Sequence, residues 1–129
     1  MMEVVIEIPK GSRNKYEYDE EHGIFRLDRV LYSSAHYPTD YGFIPETLAE
    51  DGDHLDALVI VYEPTFPGCH VLVRPVGVLS MTDEAGVDAK ILAVPEHDPR
   101  FDEITELANV PAHLLREIDN FFACLLYTS

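Results

Sequence analysis

Cations are scarce in this chain. Nine Lys and Arg stand against 24 Asp and Glu, and the net charge is −15. That shortage argues against a nucleic-acid binder, whose affinity comes mainly from Lys and Arg on phosphates. It argues equally against docking on an anionic membrane surface. Tryptophan is absent, and the two cysteines, Cys69 and Cys124, form neither a disulfide framework nor a metal-type spacing. A reducing cytoplasm is the simplest setting for such a chain. No run approaches the ~18 apolar residues that span a bilayer, and Met1-Met2-Glu3-Val4-Val5 lacks the pattern of a signal peptide. Gly-rich nucleotide loops, His-Glu-x-x-His and Gly-x-Ser-x-Gly are also missing.

What remains is an ordinary globular composition: 129 residues, 47% apolar and 26% charged, enough for one domain with a single core. Residues 1–129 are therefore read as one domain. Val4 to Ile8, Lys15 to Tyr18, Ile24 to Leu31, Ala57 to Val61, His70 to Leu79 and Ala89 to Val94 have the β-branched and alternating character of strands. Tyr37 to Gly42 and Thr82 to Gly86 read as loops. Pro111 suits a first helical position. After it, Leu114, Leu115, Ile118, Phe121, Phe122 and Leu125 recur at three- and four-residue steps, as on one face of a helix. Asp102 is a candidate cap for a shorter helix through Leu107. The fold class expected is mainly β, or α+β: a small closed β-barrel with helices packed outside.

The most informative segment is Asp51-Gly52-Asp53-His54-Leu55-Asp56, three carboxylates in six residues. Anions that close resist joint desolvation. Oxygen-only ligands favour Mg²⁺, Mn²⁺ or Ca²⁺. Taken alone, the hexapeptide reads equally as an acidic turn before a strand. An EF-hand is excluded, because Leu55 stands where an oxygen ligand is needed and Asp56 where glycine is needed. A second acidic run, Asp83 to Lys90, puts Asp88 and Lys90 two apart on one strand face. Glu7 sits inside an apolar strand, on the face opposite Ile6 and Ile8. Lys15 and Glu17 share a strand face, as an oppositely charged pair would. His54 reads as a neutral bystander among hard oxygens.

These segments occur in a telling order: Val4-Val5-Ile6-Glu7-Ile8-Pro9, Lys15-Tyr16-Glu17, Asp28-Arg29, Tyr41-Gly42, Asp51 to Asp56, and Met81 to Lys90. In that order and spacing the chain resembles the soluble (family I) inorganic pyrophosphatases, most closely the bacterial type, from about Val4 to Phe122. The resemblance implies a five-stranded OB-like barrel that hydrolyses pyrophosphate to two phosphates with several Mg²⁺ ions, Mn²⁺ being a possible substitute. Carried over by position, Asp51, Asp56, Asp83 and Asp88 are metal ligands, with Glu7 reaching the ions partly through water. Asp53 is the base for the attacking water. Lys15, Arg29, Tyr41 and Lys90 hold phosphate oxygens, and Glu17 and Glu84 support the site. Bacterial members assemble as hexamers, so a homo-oligomer is implied.

Two departures stand out. His54 occupies a position where the family usually has proline or another acid. A Tyr-Lys pair from the family's late helix would fall at Leu125 and Leu126, and Ala123 to Ser129 does not resemble the family. That break reads as a truncated or misread gene end, with the C-terminal part of the family domain missing and weak or absent activity expected. The competing reading is a non-catalytic acidic barrel that binds divalent cations or a partner protein. An OB-fold nucleic-acid binder fits poorly, since carboxylates stand where such proteins carry Lys and Arg.

Overall fold

Seven strands and one α-helix make up the regular structure of the computed structural model, which describes residues 2–45, 54–83 and 86–128. The strands are β1 (Met2–Ile8), β2 (Asn14–Asp19), β3 (Ile24–Val30), β4 (Asp40–Ile44), β5 (Leu55–Val59), β6 (His70–Asp83) and β7 (Gly86–Pro95). The helix, α1, is Ala112–Thr128. Five strands close a barrel in the order β1-β4-β5-β7-β6, with β6 returning to β1. All pairings are antiparallel except β5 with β7. The expected OB-like barrel is therefore present. β2 and β3 form a separate two-stranded ribbon. No described helix is long and apolar enough to cross a membrane.

The run Ala57 to Val61 is continuously apolar because it is buried on both faces. Ala57 and Val59 point into the barrel with Val4, Ile6, Val73 and Ala93. Leu58 and Ile60 point outward, with Leu92 and Val94, to meet Ile118 of α1. The helical stripe predicted from Leu114 to Leu125 covers this outer face. Phe121 packs beside Ile8, Leu31 and Tyr37.

Several predicted boundaries move. Asp40, Tyr41 and Gly42 belong to β4, not to a loop. Gly42 is needed in the strand because a β-carbon there would overlap the Val5 carbonyl of the neighbouring strand. β5 begins at Leu55, which brings Asp56 into the ladder. The expected loop at Thr82 to Gly86 is largely strand: β6 runs to Asp83 and β7 starts at Gly86, the two paired in register. Asp102 does not head a helix through Leu107; it ends a 3-10 turn, Pro99–Phe101, its amide donating to the Pro99 carbonyl. Asp98 heads that turn, its Oδ1 accepting from the Arg100 amide at 3.0 Å. Helix α1 starts one residue after Pro111, whose carbonyl accepts the Leu115 amide.

Candidate active site

Lys90 is the centre of the constellation. Its side chain lies on β7 and the residue is only 6% exposed. The Nζ lies 2.8 Å from Asp88 Oδ2 and 3.0 Å from Asp56 Oδ2, and donates to the Tyr41 hydroxyl at 2.9 Å. Strand register explains the convergence. Asp56 is opposite Lys90 in the β5–β7 pair, and Asp88 precedes it by two on the same face. The ammonium also sits 5.2 Å from the Tyr41 ring centre and 5.5 Å from that of Phe122, within cation–π range of both. A buried ammonium is tolerable only with such pairing.

Two clefts meet at this point. The first, about 480 Å³, is lined by Glu7, Lys15, Glu17, Glu20, Tyr41, His54 and Asp56 among others. The second, about 450 Å³, includes Lys15, Tyr37, Tyr41, Asp88, Lys90 and Phe122. Lys15 and Tyr41 belong to both walls. The first cleft is thus rich in carboxylates, while the second sets Lys15, Lys90 and two tyrosines beside Asp88 and Asp119.

Glu7 owes its position to a β-bulge. Ile6 pairs with Gly42 and Ile8 with Tyr41, so Glu7 is the extra residue on β1. Its Oε2 accepts the Tyr18 amide of the ribbon at 2.9 Å. Burial pushes its carboxyl up to about 7, and the Asp56 and Glu17 charges add to the rise. Carboxylates crowded this way suit a hard divalent cation with oxygen ligands. Burial also holds the Tyr41 phenol well above its ordinary range, with the Asp56 charge contributing.

The ribbon supplies the remaining groups. Lys15 is opposite Arg29, whereas Tyr16 is opposite Leu27, so Asp28 is an extra residue on β3. The predicted pairing of Lys15 with Glu17 gives way to this second bulge: Lys15 Nζ lies 3.2 Å from Asp28 Oδ2. Arg29 keeps its Nε buried without a hydrogen-bond partner, a donor suited to a phosphate oxygen. Its charge opposes part of the burial-driven rise of the Tyr37 phenol.

Among the expected site residues, Glu7, Lys15, Glu17, Tyr41 and Asp56 come together at the first cleft, and Asp88 and Lys90 join Lys15 and Tyr41 at the second. Asp51, Asp53 and Glu84 lie outside the described residues. Asp83 is placed by its backbone alone, opposite Gly86. Tyr37, Phe122 and the His54–Glu20 contact are additions that sequence reasoning missed. Phe122 had announced itself only as part of the helical stripe. A further grouping of Asp19, Glu21 and His22 lies in the ribbon turn, with Asp19 already bonded to Arg26 and His22.

The family model for inorganic pyrophosphatase matches residues 4–126. The chain belongs to the inorganic pyrophosphatase family. It is 61% identical to the inorganic pyrophosphatase of Methanosarcina acetivorans over 92% of this chain and 71% of that protein. With that of Geobacillus stearothermophilus the figures are 55%, 95% and 74%. The crystal structure of inorganic pyrophosphatase from Thermus thermophilus superposes with a TM-score of 0.91 at 53% identity, covering 93% of this chain and 69% of the other. The expected resemblance is thus borne out, including its bacterial side. Members of the family hydrolyse pyrophosphate in a metal-activated reaction.

Proposed function

We propose that this chain hydrolyses inorganic pyrophosphate to two orthophosphates, with Mg²⁺ as the activating metal and Mn²⁺ as a substitute. The observation that carries the proposal is the Lys90 cluster, set where a carboxylate-lined cleft meets one that holds both Lys15 and Lys90, in a chain of this family. Pyrophosphate is a polyanion and the protein carries −15, so bare substrate would be repelled. Bound Mg²⁺ supplies the positive charge that reverses this local field and acidifies an attacking water.

In this reading Asp51, Asp56, Asp83 and Asp88 hold the metal, with Glu7 reaching it partly through water. Asp53 accepts the proton as the water oxygen bonds to one phosphorus. The bridging P–O bond then breaks, and its electron pair leaves with the second phosphate. Lys15, Arg29, Tyr41 and Lys90 hold phosphate oxygens where negative charge builds up, the main requirement of phosphoryl transfer. Glu17 and Glu84 support the acidic wall. Leu125 and Leu126 stand where the resemblance implies a Tyr-Lys pair, so turnover slower than that of its relatives is expected.

The test is phosphate release with Mg²⁺ and pyrophosphate. Asp53→Asn should lower kcat by ~10²–10⁴, the range for a lost general base, while divalent-cation binding persists. Cation binding with no Mg²⁺-dependent phosphate release, even from a chain in which the Tyr-Lys pair is restored by Leu125→Tyr and Leu126→Lys, would favour the non-catalytic barrel. We also infer a cytoplasmic homo-oligomer, hexameric as the resemblance to the bacterial members implies.

A further inference from the structure

The ribbon that carries Lys15, Glu17 and Arg29 is a two-stranded sheet, and an isolated two-stranded hairpin is marginal in water. Something must hold it against the barrel. One anchor is the Tyr18 amide on Glu7 Oε2. Another is a row of rings. Phe25 and Tyr18 of the ribbon lie 4.9 Å apart, Tyr18 stacks on Phe43 of β4 at 5.6 Å, and Phe43 stacks on His54 at 5.1 Å. The row is closed by a bond across 34 residues of sequence: His54 Nε2 donates to Glu20 Oε1 at 2.6 Å. Glu20 is two residues beyond Tyr18, in the ribbon turn. The contacts therefore form a circuit from ribbon to β4, to the start of β5, and back to the ribbon. His54, Glu20 and Phe43 all line the carboxylate cleft alongside Glu7 and Lys15.

We propose that the His54–Glu20 hydrogen bond is a latch that holds the ribbon over the acid-lined cleft, making both residues positioning residues for Glu7 and Lys15. Neither is assigned contact with substrate or metal. Glu20 has a largely exposed side chain, so its loss leaves the core intact. His54→Phe keeps a ring on Phe43 and removes the bond to Glu20. Glu20→Gln keeps an oxygen acceptor and should behave as the parent does.

The first measurement is hydrogen exchange of the Tyr18 amide in the metal-free protein, which reports whether the ribbon lifts. His54→Phe and Glu20→Ala should each speed that exchange by about fivefold, the scale of one net hydrogen bond. The double variant should exchange no faster than either single one. Parental exchange in either single variant, or effects that multiply in the double one, overturns the latch. The second measurement rests on the pyrophosphatase reading: KM for magnesium pyrophosphate should rise about fivefold in both variants with kcat little changed, and Glu20→Gln should restore it. Unchanged KM alongside faster exchange overturns the positioning role. If neither the parent chain nor its Leu125→Tyr/Leu126→Lys variant releases phosphate, the pyrophosphatase reading fails alone, and the exchange measurement still decides the latch.

Discussion

Lys90 and Lys15 face one cleft from very different supports. Lys90 stands on β7, inside a closed ladder whose neighbouring strand β5 is buried on both faces. Its Nζ is fixed by two carboxylates, a hydroxyl and two rings. Lys15 stands on the ribbon, ion-paired with Asp28 and with about a third of its side chain exposed. Backbone ladders and burial hold a charge where it is needed at no cost in later reorganisation. A few side-chain ties hold it less firmly. The barrel side should therefore govern the chemical step, and the ribbon side should govern affinity.

The strongest way to break this comparison is Lys90→Met, which keeps the bulk and removes the charge. It should lower kcat/KM by about 10³, or ~4 kcal/mol, as expected for losing a preorganised cation at a reacting phosphate. Most of that loss should appear in kcat. Asp56 and Asp88 would lose their shared partner, but both are substantially solvated. Stability should therefore fall by only about 1–2 kcal/mol, less than for a fully buried broken pair. Steady-state kinetics and urea unfolding check the two halves. A loss confined to KM would show that Lys90 is no better placed for chemistry than Lys15.

Glu7 joins the two regions, and its titration sharpens the comparison. Its carboxyl rises from 4.5 to about 7 in the folded chain. Between those values the folded state binds the proton and the unfolded state does not. Stability therefore falls as pH rises through this window, and stays at the lower level above it. The cost across the whole window is about 3 kcal/mol on the scale of 1.36 kcal/mol per unit. Asp40, also raised by burial, adds to the slope in the same direction. Unfolding in chelator at pH 5 and pH 8 should show the fall in the parent and most of it gone in Glu7→Gln. That variant should also bind Mg²⁺ more weakly. An equal slope in both proteins would place the Glu7 carboxyl in water rather than between ribbon and barrel.

These residues also mark what could be read from the sequence. Asp88 and Lys90 share a face because a strand alternates, and that rule held. Alternation cannot show a bulge, so Glu7 was placed but its bond to the ribbon was not, and Lys15 was matched with Glu17 instead of Asp28. Asp40, Tyr41 and Gly42 have the composition of a turn. They form a strand because Gly42 admits the Val5 backbone and Asp40, fully buried, accepts the Lys10 and Thr65 amides and the Thr65 hydroxyl. His54 read as a bystander because its partner, Glu20, is distant in sequence. Local pattern thus revealed strands, stripe and acidic motifs. Contacts set by barrel closure were invisible to it.

The smallest effect is expected on the ribbon, from Lys15→Met. The Lys15–Asp28 pair is well solvated on both sides, and such pairs contribute ~0–1 kcal/mol. The midpoint of thermal unfolding should then move by no more than a few degrees. Lys15 nevertheless borders both clefts, so substrate should lose one charge-assisted contact. That corresponds to a rise in KM of about tenfold, with kcat within about twofold. Raising ionic strength should weaken parental binding and narrow the difference from the variant, because an exposed cation is screened by salt and a buried one much less so. The same salt series on Lys90→Met should leave its deficit nearly constant. If the Lys15 deficit also proves insensitive to salt and falls on kcat, the ribbon holds its cation as firmly as the barrel does, and the distinction between the two supports is lost.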